Sequence, residues 1–549
     1  MDCQEKAAQL TSWLLCHDLL KNLPGLAHEM PVQSTHPDYD ANLVAWQRAR
    51  DVIAGEDAVK TAGIKYLPRL DSQTDDEYVA YKMRAAFFNA TARIADGYVG
   101  RIFRREPTFK LPDTSAGIGR ALDAFVADAD LLGTPMSAYA KHVTHEVIAV
   151  GRAGTLVDWE DEADQRAFVR LYETEQIINW HSQRVNGRNV LTLVVLKEHG
   201  KNLLQIAPTA EILAAGQNDP FQPESVEQLR VLKLVPDATP AADGSTPWTY
   251  QVELWQQQPG KSKRSKTEWA VVDTRTPLRL GKSLPLIPFV FHGPKNSLPH
   301  VDKLPLADII AINLDHYRLN ADYKHGLHFT ALPTAWVSGF DKTSNLRIGS
   351  STAWVAETTG ATAGYLEFHG QGLMTFERAM TQDELMMAVL GSRMMEEQKR
   401  VGETAASIEL RQSGENAVLS AVSLSISESL SQVLRWVYWW NSTENTPGDI
   451  GDKTVLVSLN ADFSLNGMAS TEIAAVVAAW KAGAISQDTM FDLFRMGDVL
   501  PVGRSNEDEA KLVAGKPQPA PVAADPGAVT LLAPAPADNP PAQLLTKNL

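Results

Sequence analysis

Apolar residues recur at helical spacing through most of the chain. After Pro37, Leu43, Trp46 and Ile53 mark a helical segment that Pro68 stops. Thr74 followed by Asp75, Asp76 and Glu77 is a second start: a capping hydroxyl, then acids where the helix dipole favours them. From there Tyr78, Tyr81, Ala85, Phe88, Ala92, Ala95, Val99 and Ile102 keep a three-four spacing. This predicts one long helix, with Lys82, Arg84, Arg93 and Arg101 on its other face. Shorter helices are expected at 117–131 and 135–149. Beyond Gly151 and Gly154 the period changes. Segments 154–159, 176–183, 189–197, 229–235, 249–256 and 268–273 read as strands, with Asn186-Gly187 a hairpin turn between two of them.

Helical spacing returns after Pro299. Leu304, Leu306, Ile310, Leu314 and Tyr317 predict a helix to about Gly326. Strand-like segments follow to Gly372. A helix over 375–400 carries Phe376, Met380, Met387, Leu390 and Met394 on its apolar side. Residues 401–414, with glycines at both ends and little periodicity, read as a loop. Val418, Val422, Ile426, Leu430, Val433, Leu434 and Val437 then predict a strong helix over 415–440. A short strand at 454–459 and helices at 470–482 and 486–495 complete the pattern. The fold class is α+β, mainly helical.

Composition narrows the functions. The 549 residues are 44% hydrophobic and 21% charged, ordinary for a chain with a real core. The net charge of −15 argues against gripping nucleic acid by bulk electrostatics. It is compatible with letting nucleic acid slide past. Two cysteines, Cys3 and Cys16, exclude a disulfide framework and a Cys-based zinc site, and read as reduced thiols. The N-terminal segment 1–35 opens with MDCQEKAAQLTSWLLCHDLLKNL, which reads as a short amphipathic helix (Leu10, Trp13, Leu14, Leu20, Leu23) rather than a secretory signal. No apolar run is long enough to span a membrane. Lys261, Lys263, Arg264 and Lys266 suggest a solvated hairpin tip, and the Pro/Ala-rich tail 511–549 is expected to be disordered.

Motifs for chemistry mostly fail. Gly281-Lys282-Ser283 lacks the first glycine of a phosphate loop, because Thr276 stands there. His142, His145 and Glu146 lie close on a helix without a third ligand. The acidic run Asp158, Glu160, Asp161, Glu162 and Asp164 lacks the glycine of a calcium loop. No catalytic residue, metal site or cofactor is expected. Six of the 13 methionines fall between 374 and 395. Methionine adapts to irregular neighbours, so this helix packs either on something that is not fixed or in an ordinary Met-rich core; Met380, Met387 and Met394 become candidate subunit-interface residues if the chain forms a ring.

Several blocks together resemble one family. They are HPDYDANLVAWQRARDVIAGEDAVKTAGIKYLPRL (36–70), DDEYVAYKMRAAFFNATARIADGYVGRIFRREP (75–107) and LPLIPFVFHG (284–293). LADIIAINLDHYRLNADYKHGLHFTALPTAWVSGF (306–340), LRIGSSTAWV (346–355) and ELRQSGENAVLSAVSLSISESL (409–430) continue the likeness. The chain resembles the portal, or head-to-tail connector, proteins of tailed bacteriophages. The likeness is to a podovirus-type subgroup often known only as a domain of unknown function.

The resemblance implies a ring, commonly of twelve subunits, with wing, stem, clip and crown regions. The wing would be 36–302 (helical 36–150, β-rich 151–300) plus the helix 415–453. The stem would be 303–326 and 375–400, and the clip 327–374. The tunnel loop would be 401–414 and a small crown 454–510. Lys399, Arg400, Glu403, Glu409 and Arg411 would then lie at the DNA-facing tunnel. There the basic residues would touch the backbone one at a time or pair with Glu396, Glu403 or Glu409.

Implied partners are further copies of the chain, double-stranded DNA, terminase, the major capsid protein and head-completion or tail proteins. Implied locations are the capsid vertex in the virion and the host cytoplasm during assembly. Rival readings are another head-tail protein (adaptor or scaffold), or a soluble multidomain enzyme anchored on His142, His145 and Glu146.

Overall fold

The computed structural model describes the chain outside 1–30, 113–116, 161–164, 186–187, 202–224, 237–246, 259–267, 331–333, 341–353, 356–358, 367–371, 393–404, 445, 451–454, 462, 464–469, 498, 501–503 and 515–549. Most of the N-terminal segment, the 261–266 basic cluster and nearly all of the tail lie outside the described residues. The chain divides into two compact units, Met1–Leu465 and Asn466–Leu549.

The first unit opens with helices α1 (Pro37–Ala54), α2 (Glu56–Ala62), α3 (Asp75–Arg84) and α4 (Ala90–Ile102). The start at Thr74 forms a full capping box, in which its hydroxyl caps Glu77 N and the Glu77 carboxylate returns to Thr74 N. The single long helix expected over 75–102 is two helices. Its spacing is continuous, but the break is made by tertiary partners. Asn320 accepts from Ala86 N at 2.9 Å, and the Asn313 amide donates to Phe88 O at 2.7 Å while accepting from Thr91. Two side chains from a distant helix thus replace the helical bonds lost at 85–89.

Strand β1 (Thr108–Lys110) and helices α5 (Ile118–Ala127) and α6 (Met136–Val150) lead into the β-rich part. There β2 (Ala153–Glu160), β3 (Arg166–Glu173), β4 (Ile177–Val185), β5 (Arg188–Lys201), β6 (Ser225–Pro236), β7 (Trp248–Gln258) and β8 (Glu268–Arg275) follow. A small hairpin, β9 (Leu278–Arg279) with β10 (Lys282–Ser283), precedes β11 (Phe289–His292). β4 to β8 form an antiparallel meander in sequence order; β11, β2 and β3 form a second sheet. Val185 pairs with Arg188, so the hairpin at Asn186-Gly187 has a two-residue connection. β3 and β11 were not anticipated. β11 is buried at every position, and a short continuous apolar run has no period to read.

Helix α7 (Ala307–Thr330) and strand β12 (Thr334–Ser338) run out, and β13 (Thr362–Leu366) and helix α8 (Leu373–Met387) run back. One π-helical turn, Ala388–Ser392, continues α8. Helix α9 spans Ala405–Asn441. The loop expected at 401–414 is therefore helical from Ala405. Ala405, Ala406, Glu409, Leu410, Arg411 and Gln412 are good helix formers, and they carry Gly414 within a long helix.

α9 is the spine of this unit. Ile426, Leu430, Val433, Leu434 and Val437 are fully buried. Its serines bond neighbouring backbone: Ser425 to Gly293 O, Ser423 to Asn460 O, and Ser431 and Ser427 with β14 (Leu456–Ser458) and Leu459. Small side chains let strand and helix approach closely while meeting polar needs.

One ionic cluster sits inside the β-rich part, and a second joins the helices to it. Glu198 is buried and meets Arg230 at 2.9 Å, Gln228 at 3.0 Å and the Tyr172 hydroxyl. Burial alone would raise this carboxyl, but Arg230 outweighs it and holds it below the usual range. Arg50 bridges Glu146 at 2.7 Å and Glu175 at 2.8 Å.

In the second unit, α10 (Ser470–Lys481), α11 (Gln487–Met496) and α12 (Asn506–Ala514) follow one another, with Met490 and Phe491 buried. Helix α12 is not predicted by the apolar pattern, and it holds 511–514, the first residues of the tail expected to be disordered, as helix. Among the described residues no helix is long and apolar enough to cross a membrane.

Candidate functional site

The candidate site is the hairpin of α7 and α8 with its β tip. Side chains set the register of the helices. Tyr323 Oη donates to Glu377 Oε1 at 2.5 Å, Asn320 Nδ2 meets Met380 Sδ at 3.8 Å, and His316 Nε2 faces Glu384 Oε1 at 3.3 Å. The strands pair Thr334 with Leu366 through Ser338 with Thr362. In every one of these pairs, helical or extended, the two residue numbers add to 700. The β tip therefore continues the helix pair in one antiparallel register, with equal lengths of chain running out and back. At Gly326 a Cβ would lie 2.8 Å from Leu373 Cδ2, so glycine permits the close approach where the helices meet the tip.

The root of α7 is fixed in the first unit. Asn313 and Asn320 hold the α3–α4 break, Tyr81 Oη donates to Asp322 at 2.5 Å, and Arg318 Nε donates to Tyr66 O at 3.0 Å. Burial and the Asp322 carboxylate together push the Tyr81 hydroxyl far up, so it stays a donor. The π turn is fixed as well. Gly391 packs so tightly on Ile94 that a Cβ there would overlap Ile94 Cδ1 at 2.2 Å. Beyond the root, α8 packs chiefly on α7, and β12 on β13.

This leaves apolar side chains in solvent. Leu385, Met386, Val389 and Leu390 are 37–48% exposed along α8 and the π turn. Phe329, Trp336 and Tyr365 are exposed near the tip, as is Met374 at the start of α8. Between the helices Asp383 is buried, and one carboxylate oxygen has no hydrogen-bond partner. Burial, with Asp315 nearby, raises its acid group.

The residues expected at the interface divide. Met380 is half-buried beneath Asn320. Met387 is 1% exposed and belongs to the chain's own core, so it offers nothing to a neighbour. The helical stripe that picked it out also carries Leu390, which is 48% exposed, so it does not face inward throughout. Met394, Lys399, Arg400 and Glu403 lie outside the described residues. Glu409 and Arg411 lie on the first turns of α9 rather than on a loop. The exposed apolar residues Met374, Leu385, Met386 and Val389 were missed, although they form a second apolar face on the same helix. A helix apolar on two sides is the signal that could have found them.

Of the residues considered for an enzyme site, Glu146 is held by Arg50, with His145 Nδ1 3.9 Å away. Burial opposes its ionisation, but His145 and Arg50 outweigh that and keep its carboxyl low. Among the described residues no group of three or more His, Cys, Asp or Glu side chains is placed to hold a metal ion.

A family model described as a domain of unknown function (DUF4055) matches residues 305–441, from the start of the hairpin to the end of α9. No curated protein matches the chain. Three solved structures are similar at 10% identity. The neck of a native GTA particle computed with C12 symmetry has a TM-score of 0.34, with 79% of this chain and 98% of that chain covered. The neck of an empty GTA particle computed with C6 symmetry has 0.37, with 80% and 100% covered. The virion of a native gene transfer agent particle has 0.35, with 81% and 99% covered. Scores at this level leave fold and function to be argued from the chain itself.

Proposed function

We propose that the protein is a phage portal, a ring at the capsid vertex through which double-stranded DNA is packaged and ejected. One observation carries the reading. A long antiparallel hairpin keeps one register from helix to β tip, is rooted by buried polar contacts, and exposes apolar residues along its length. A monomer gains nothing from such a face, whereas a ring of identical copies covers it. The order of sequence blocks over 36–440 supports the same assignment.

In this reading α7 and α8 are the stem and the β tip is the clip, which docks terminase and later the head-completion and tail proteins. The start of α9 brings Glu409 and Arg411 toward the channel. The net charge of −15, repeated around a ring, repels phosphates and keeps DNA mobile. The protein has no chemistry of its own, and the packaging ATPase is a separate chain. Subunit number is expected to be twelve. Electron microscopy of the purified protein tests the ring. Charge reversal at Arg411 tests the channel, since unchanged DNA packaging and retention would remove that residue from the DNA path.

A further inference from the structure

A cavity of about 570 Å³ opens between the start of α1, strands β4 and β11, and α9. Its lining includes His36, Trp180, His181, Phe291, His300 and Gln432. Two of its rings, Trp180 and Phe291, flank Arg152. The guanidinium carbon lies 3.8 Å from the Trp180 ring centre and 4.6 Å from that of Phe291. Arg152 is 2% exposed, and its Nε, Nη1 and Nη2 all lack a hydrogen-bond partner. Glu198 and Glu146 each face an opposite charge within 3 Å, whereas Arg152 has only the field of Asp38. Ring faces attract a cation, but they do not replace an anion.

We propose that this cavity binds a small organic anion with a flat apolar body, and that Arg152 supplies the counter-charge from beneath its floor. The walls suit such a ligand. His36 Nδ1 accepts from Asp38 N at 3.1 Å, so the ring proton sits on Nε2, a donor. His36 stacks on Trp180 at 4.0 Å, which fixes the ring. The 18-residue helix α1 begins here, and its N-terminus favours negative charge. The cavity has ample room for a ring-bearing molecule and is far larger than a bare ion needs. Asp38 also lines the cavity and opposes a second negative charge, so a carboxylate is preferred to a phosphate dianion.

The test uses the full-length protein with benzoate, phenyl phosphate and inorganic phosphate as probes, read by calorimetry and thermal shift. Benzoate is expected to bind at one site, more tightly than phenyl phosphate, with inorganic phosphate weakest. Arg152→Met should raise the melting temperature without ligand, because an unpaired buried cation is removed. It should also weaken benzoate by about tenfold, the scale of losing one close counter-charge across a low-dielectric floor. His36→Phe keeps the stack and removes the donor, and should weaken benzoate several-fold while leaving the fold intact. It decides the matter if the Arg152 variant fails to fold. The proposal is overturned if no probe binds the wild-type protein at about 10 mM. It is equally overturned if both variants bind benzoate as the wild type does.

Discussion

Helices α8 and α9 carry apolar stripes of similar strength in the sequence, and the fold treats them oppositely. In α9 Ile426, Leu430, Val433, Leu434 and Val437 are buried to the last atom, and even its serines are bonded. In α8 only one stripe turns inward, at Met387, while Leu385 and Met386, with Val389 and Leu390 in the π turn, stay in solvent. Val418 and Leu424 nearer its start are exposed, but from Ile426 onward the spine's apolar side is covered within one chain. The hairpin keeps an apolar face open to solvent in one chain, the face that the proposed ring would cover. Periodicity reports that a helix has an apolar side; it does not report whose atoms will cover it.

The largest effect expected from this contrast is on assembly. Leu385→Asp with Leu390→Asp should weaken ring formation by roughly 100-fold or more, as loss of a central interface cluster does. Monomer stability should move by no more than about 0.5 kcal/mol. Sedimentation and thermal melts read the two quantities separately. The converse substitution, Leu430→Ala in the spine, should cost about 2–5 kcal/mol in denaturant unfolding whether or not rings form. Equal costs for Leu390→Ala and Leu430→Ala would erase the distinction.

A further difference concerns acid. His292, at the end of β11, is buried against the spine between Thr155 Oγ1 at 2.6 Å and Ser429 Oγ at 2.7 Å, and burial pushes its imidazole down to about 3. The unfolded imidazole titrates near 6.5, so between those values the unfolded chain takes up a proton that the folded one refuses. Stability from this group is complete above pH 6.5 and falls by up to about 1.4 kcal/mol per unit as pH drops toward 3. His292→Gln should flatten that slope in unfolding measured against pH.

The smallest effect is expected at the joint between the two regions. Gly391→Ala should cost about 1–3 kcal/mol by overpacking Ile94, and Ile94→Ala in the same chain should recover most of it. Absence of coupling in that double-mutant cycle would mean that the π turn does not fix the hairpin to α4.

Much of this was legible in the residues. The cap at Thr74, the hairpin at Asn186-Gly187, the long apolar side of α9 and the helix–strand–helix order of 303–400 all came from local chemistry that the fold respects. What stayed hidden depends on partners far away in sequence. The break at 85–89 is made by Asn313 and Asn320, β11 has no period, and Gly414 is carried inside α9 by good helix formers on either side. At the candidate site, methionine content drew attention to α8 without telling which of its residues face solvent. Met387 is core, and the exposed side is built from Leu385, Met386, Val389 and Leu390.

The central claim is that copies of this chain complete one another along the hairpin. Electron microscopy of the purified protein, at concentrations where assembly is favoured, tests it most directly. The account predicts closed rings with a channel wide enough for a duplex and with the α7–α8 hairpins packed side by side around it. Particles in which the α8 face stays open to solvent, whether single chains or assemblies built through another surface, would contradict it.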